Sequence, residues 1–95
     1  MPHINSGTLY SQRGETERAI QAYSQAIEID PARRIAYSNL FAKYIELDRL
    51  DEARALLERQ IKVLGETPDA QFKLYEIASR QGDRATADRY AAIIE

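Results

Sequence analysis

The sequence predicts an all-α protein of three helix-turn-helix hairpins, six helices in all. The first observation is a fixed period: a small residue and a turn residue both return every 34 residues. The small residues are Ala19, Ala53 and Ala87, and the turn residues are Gly14, Asp48 and Gly82. The second observation is that apolar residues between these turns recur three and four positions apart, as on amphipathic helices. A period of this length in a helical chain is typical of stacked repeats that pack on their neighbours.

Composition agrees with a single globular domain of 95 residues, residues 1–95. Apolar residues make up 44% and charged residues 29% of the chain, and the net charge is −2. A weakly acidic chain lacks the basic patch with which nucleic-acid binders neutralise phosphates. No apolar run approaches the roughly 20 residues that a membrane-spanning helix needs. We therefore expect a soluble protein without membrane insertion, and take the cytoplasm as the default compartment.

Proline, glycine and acidic residues mark the ends of the expected helices. Asp30-Pro31 stops the second helix, because the residue before proline is disfavoured in the helical region. Gly65 suits the left-handed position after the fourth helix. The expected helices span 2–12, 15–29, 34–47, 51–63, 68–81 and 83–95, within repeats at about 1–33, 34–67 and 68–95.

The apolar positions of these helices predict the core. The second helix supplies a narrow stripe of Ala19, Ile20, Tyr23, Ala26 and Ile27. Tyr10, Tyr37 and Tyr44 also fall on inward positions, so these aromatic rings are interpreted as core residues rather than as a recognition surface.

The pattern resembles the tetratricopeptide repeat (TPR) family. The family spacing W-x2-L-G-x2-Y is matched in the first helix by Gly7 and Tyr10, and in the third helix by Tyr37, Leu40 and Tyr44. Phe41 departs from the family, which usually has a small residue there. The resemblance covers the whole chain and implies a right-handed α-solenoid.

The resemblance also implies where a ligand binds. TPR proteins present the first helix of each hairpin along a concave groove that takes peptides or helices. Carried over to this chain, the groove residues are Ile35, Ser38, Asn39, Ala42, Ile45, Phe72, Lys73 and Glu76.

One TPR subfamily binds acidic chaperone tails through a clamp of lysine, asparagine and arginine. Asn39 matches the clamp asparagine, and Lys73 offers a basic residue where the arginine belongs. Ile4 and Asp69 replace clamp lysines and Thr8 replaces an asparagine, so the chaperone-tail reading is rejected.

The residue inventory indicates no enzyme. The chain has one histidine and no cysteine. His3 has no second histidine or acid at ligand spacing, and no strand precedes a glycine-rich phosphate loop. We therefore expect no catalytic residue, no bound metal and no cofactor.

The prediction is a non-enzymatic scaffold with a protein or peptide ligand. The sequence ends without the polar capping helix that commonly closes such arrays, so the last helix is expected to expose its stacking surface. Tyr90, Ile93 and Ile94 are the residues expected to pack there on another copy. Two alternatives stay open: a purely structural homo-oligomer, and a piece of a longer TPR adaptor.

Overall fold

The computed structural model describes residues 3–94, and their side chains from residue 6 onward, as six helices. The helices are α1 (His3–Gln12), α2 (Thr16–Ile29), α3 (Arg34–Glu46), α4 (Leu50–Leu64), α5 (Pro68–Gln81) and α6 (Arg84–Ile94). These bounds confirm the predicted all-α fold, and each helix end that the structure describes lies within one residue of its prediction. The predicted ends at Pro2 and Glu95 lie outside the described residues.

The helices form two compact units, each considered by itself. The first unit contains α1, α2 and α3 and ends at Arg49, and the second begins at Leu50 and contains α4, α5 and α6. In the first unit α2 packs on both α1 and α3, and in the second α5 packs on both α4 and α6. The arrangement of three repeats in one domain stays a prediction.

The three turn residues predicted by the period share one backbone conformation. Gly14, Asp48 and Gly82 have φ angles of 75°, 57° and 75°. After each of them, a backbone N–H bonds at 2.8 Å to the carbonyl five residues earlier, which is the Schellman end of a helix. The three bonded pairs are Glu15 to Tyr10, Arg49 to Tyr44 and Asp83 to Ala78. One turn structure therefore recurs at the 34-residue period.

A different pair of signals separates α4 from α5. Gly65 follows α4 with a φ of 87°, the left-handed conformation predicted for it. Thr67 then caps α5, because its hydroxyl accepts a hydrogen bond from the backbone N–H of Ala70 at 3.2 Å. Pro68 occupies the first turn of the helix, where its missing N–H leaves no bond unmade.

The α2 stripe is buried as predicted, but Tyr10 and Tyr44, which were predicted as core residues, are only half-buried. Ala19 and Ala53 are fully buried and Ala87 almost so, which places a small side chain at the same position of α2, α4 and α6. Tyr37 is fully buried as well, and its hydroxyl donates to the carbonyl of Pro31 at 2.8 Å. A buried tyrosine with a satisfied hydroxyl contributes apolar area without an unpaired polar group.

Gly7 lets α1 approach α2 closely. A Cβ atom at this position would lie 2.5 Å from Cε1 of the Tyr23 ring, closer than atoms can pack. Two periods later, Tyr75 on α5 is the equivalent of Gly7 and Ala91 on α6 is the equivalent of Tyr23. The large side chain is therefore on the first helix there and the small one on the second. The two units therefore fill this position with one large and one small side chain, placed on opposite helices.

Gly7→Ala should lower the free energy of unfolding by about 1–2 kcal/mol, since overpacking against the Tyr23 ring outweighs the better helix propensity of alanine. Urea denaturation followed by circular dichroism measures this. In a Tyr23→Leu background the cost of the same change should fall, because Leu frees the space that the added Cβ occupies. An equal cost in both backgrounds would show that the ring does not set the helix spacing.

Asp48→Gly should raise the free energy of unfolding by about 0.5 kcal/mol. The left-handed backbone conformation of Asp48 costs a residue with a side chain about 1 kcal/mol. Removing this cost outweighs the greater conformational entropy that glycine gives the unfolded chain. Gly82→Ala, at an equivalent turn with no atom within 4 Å of an added Cβ, should have the opposite sign and cost about 1 kcal/mol. The same sign for both variants would contradict a shared turn conformation.

Candidate protein-binding surfaces

The first candidate surface is one face of α3. Ile35 is 52% exposed, Ser38 and Ala42 are exposed, and Asn39 and Ile45 are half-buried. These five predicted residues lie three, four, seven and ten positions after the first, so they share one side of the helix. We call them the α3 face. It is mixed in character, with apolar side chains beside one amide.

The predicted residues of α5 do not behave alike. Glu76 is exposed, whereas Lys73 is half-buried and its Nζ lies 3.0 Å from Asp69 Oδ2 one turn earlier. The Lys73 ammonium is therefore held in a local ion pair. Phe72 is 48% exposed, and its ring centroid lies 6.4 Å from that of Tyr75 on the same helix.

The second candidate surface is a cleft between α5 and α6. An apolar cavity of about 160 Å³ is lined by Phe72, Tyr75, Ala91 and Ile94. A second cavity of about 290 Å³ shares Tyr75 and Ala91 with the first and is bordered by Arg84 and Asp88. We call these six residues the terminal face. It is apolar at one end and carries two opposite charges at the other.

Comparison along the 34-residue period shows that this face is uncovered. Ile94 is 43% exposed, whereas its equivalents Ala26 on α2 and Gln60 on α4 are only 7% and 4% exposed. Helix α2 is covered by α3 in the first unit, and α4 by α5 in the second. Within residues 3–94, no helix follows α6 to cover it.

The three predicted self-association residues differ in their exposure to solvent. Ile94 belongs to the terminal face and Ile93 is exposed beside it, but Tyr90 is 7% exposed and therefore buried. The guanidinium of Arg89 lies 5.5 Å from the Tyr90 ring centroid. The expectation that Tyr90 stands at the surface is thus corrected: it occupies a core position, like its equivalent Leu56 on α4.

Four residues of the terminal face were not predicted as site residues: Tyr75, Arg84, Asp88 and Ala91. The period carried a signal for Ala91, because its equivalents Tyr23 and Leu57 are large apolar residues on the inward stripe. Comparing which positions a following helix would cover could have identified it. The period gives no such signal for Arg84 and Asp88, because the residues one and two periods earlier are uncharged or carry the opposite charge.

Polar side-chain contacts link elements that are distant in sequence within each unit. In the first unit Lys43 donates to the Ser11 hydroxyl at 2.6 Å, and Arg49 pairs with Glu17 at 2.8 Å. Lys43 also lies 2.9 Å from Glu46 and lowers the pKa of that carboxyl through a hydrogen bond and through its charge.

In the second unit the corresponding contacts centre on Arg54 of α4. Arg54 pairs with Asp83 at 2.9 Å and donates to the Thr86 hydroxyl at 3.2 Å. Asp83 also accepts hydrogen bonds from the Thr86 hydroxyl and backbone N–H, at 2.8 and 3.2 Å. These bonds, with a smaller contribution from Arg54, lower the pKa of Asp83. Asp83 therefore caps α6 as an anion while binding α4.

The described residues contain no group of three or more His, Cys, Asp or Glu side chains that could hold a metal ion. His3 lies in α1, but its side chain is outside the described part. Among the described helices, none is long and apolar enough to cross a membrane.

Comparison with known proteins agrees with the repeat structure. A family model described as a tetratricopeptide repeat matches residues 10–76. The chain belongs to the tetratricopeptide repeat family. A TPR chain is typical of protein–protein interaction rather than of catalysis, which supports the scaffold prediction at that level.

One similar protein of Saccharomyces cerevisiae is "Essential for maintenance of the cell wall protein 1". It is 34% identical to this TPR chain over 72 residues, which are 74% of the chain and 7% of the yeast protein. The chain thus spans a small part of the length of this relative.

Proposed function

We propose that this TPR chain is a non-enzymatic protein-interaction module whose main binding surface is the terminal face. The observation that carries the proposal is the exposure of Ile94 at a position where both equivalent residues are buried, on helices onto which a following helix packs. Phe72 stands on the other side of the same cavity. The face therefore has the shape and the apolar character of a surface onto which a helix packs.

The free energy available at this face is sufficient for binding. Burying a large apolar side chain such as Phe72 or Ile94 contributes about 1.5–3 kcal/mol each relative to leaving it in water. Ordering a partner and restricting its motion offsets part of this gain. A partner that also filled the cavity at Ala91 would add contact area at the centre, where interface residues contribute most.

The α3 face is proposed as a second peptide-binding surface. Ile35 and Ala42 supply exposed apolar area, and the side-chain amide of Asn39 can donate to and accept from a peptide backbone. The predicted groove residues of α5, among them Lys73, belong to the second unit. Lys73 already pairs with Asp69, so a ligand would have to compete for its ammonium group.

Self-association through the end of α6 is the second candidate function. Ile93 and Ile94 are both exposed there, at 47% and 43%, which favours an apolar contact with another copy. A contact of one patch with the same patch closes into a two-fold dimer. Covering an apolar face in this way would also stabilise a short array by mass action.

A displayed library of helical peptides tests the interaction role. Ligands selected on the wild-type chain should bind the double variant Phe72→Asp, Ile94→Asp at least about tenfold more weakly, because charges then line the apolar cavity. Ile35→Asp tests the α3 face in the same way. Ile29→Asp is the matched control, since this isoleucine is 70% exposed but lies on neither surface. Equal effects of all the variants would contradict both proposed surfaces.

Light scattering over a dilution series tests self-association. A dimer that Ile93→Asp, Ile94→Asp converts to a monomer would support the second candidate function. Tyr90 is left unchanged because its substitution would disturb the core. A folded monomer at every concentration would eliminate self-association and leave the heterotypic role.

A further inference from the structure

We propose that the terminal face binds an amphipathic helix of a partner protein with the charge pattern of α3: an acidic residue in its last turn and a basic residue three positions later. This inference rests on the proposed role of the terminal face in protein binding. It identifies the occupant by apolar size and by two charges.

The first charge follows from the contact between α2 and α3. At the start of α2 the Thr16 hydroxyl donates to the carboxylate of Glu46, at the end of α3, over 3.4 Å. The equivalent of Thr16 on α6 is Arg84, two periods later. A helix seated on α6 as α3 is seated on α2 would place its last turn against a guanidinium. An acidic residue at the position of Glu46 complements that charge.

The second charge follows from the contact between α4 and the turn after α5. Arg54 of α4 lies 2.9 Å from Asp83, which directly follows that turn. The equivalent of Arg54 on α6 is Asp88, so the charge is reversed, and the equivalent of Asp83 after α3 is Arg49. An occupant with a basic residue at the position of Arg49 therefore restores the ion pair with the opposite polarity.

The apolar end of the face sets the size of the occupant's side chains. Ala91 replaces the larger Tyr23 and Leu57, and beside it lies the cavity of about 160 Å³. A seated helix needs a large apolar side chain to fill this space, as α3 has in its buried Leu40. Leaving the cavity empty would forfeit the dispersion contacts of its lining.

The first helix of a second copy does not meet these requirements. Where α3 has Leu40, α1 has Ser6, and the uncharged Gln12 would face Arg84. Asp88 would face Glu15, which lies 3.5 Å from Arg18, so this pair presents no net charge. Head-to-tail stacking of copies thus gains neither a filled cavity nor charge complementarity.

Helix α5 of another copy fits less well still. Its Arg80 would face Arg84, and Asp83 would face Asp88, so both contacts would join like charges. Of the three helices that begin a repeat, α1, α3 and α5, only α3 with the turn after it carries both complementary charges. The partner helix is therefore expected to share the pattern of α3.

A fluorescent peptide of residues 31–49 is the probe, since it contains Glu46 and Arg49 and keeps Pro31 as the acceptor for the Tyr37 hydroxyl. Fluorescence anisotropy with the full chain should show saturable binding. Asp88→Arg should weaken this binding about tenfold, because an attraction becomes a repulsion. Glu28→Arg, the same change of charge at an exposed site on α2, should leave it unchanged.

Charge exchange supplies the decisive comparison. A peptide carrying Arg49→Asp should bind the wild-type chain more weakly and recover its affinity on Asp88→Arg. If Asp88→Arg fails to fold by circular dichroism, Arg84→Glu with a Glu46→Arg peptide makes the same comparison. The proposal would be overturned if the affinity lost with the Arg49→Asp peptide did not return on Asp88→Arg, or if the affinity did not depend on the charge at position 88.

The two proposals fail separately. Library ligands that depend on Phe72 and Ile94 but lack the acid-base pattern would leave the interaction role standing and refute this inference. A dimer held through the terminal face would also refute it, because the occupant would then be a second copy. Ligands whose affinity does not depend on the terminal face would refute the proposed role of this face in protein binding.

Discussion

Close approach between neighbouring helices within each unit is the constraint on which the rest of this structure depends. Ala19, Ala53 and Ala87 put the smallest chiral side chain at the same buried position of α2, α4 and α6. The turns before these helices share one left-handed residue and one hydrogen-bond pattern, which fixes where each helix starts. Since the spacing never changes, the side chains of α2 and α4 that face the next helix return every 34 residues, and α6 carries the equivalent positions.

That repetition explains why α6 carries an apolar face that is exposed in the described part of the chain. The surface that α2 offers to α3, and that α4 offers to α5, recurs on α6 with Ile94 and Ala91 at its apolar end. The charges at its other end do not repeat, because Arg84 and Asp88 replace Thr16 and Arg54. The shape of the face is thus set by the repeat, while its charge pattern is its own, and we propose that this pattern selects the helix that binds.

The structural features that depend on local chemistry were predictable from the sequence. The helix ends at Gly14, Asp48 and Gly82 and the stripe of α2 were predictable, because turn residues and helical periodicity act over a few positions. The burial of Tyr90 was missed because it depends on which side of α6 a neighbour covers. The Lys73–Asp69 pair was also missed, although its i, i+4 spacing on one helix was visible in the sequence. The placement of Phe72 and Ile94 on one cavity was missed because it requires the packing of α5 against α6.

Nuclear magnetic resonance of the ¹⁵N-labelled chain during titration with the 31–49 peptide is the sharpest test of helix binding at the terminal face, because it locates the bound helix without any substitution. We expect the largest shift changes at the amides of the terminal face: Phe72, Tyr75, Arg84, Asp88, Ala91 and Ile94. Shift changes confined to α1 and α2, with the terminal face unaffected, would contradict this expectation.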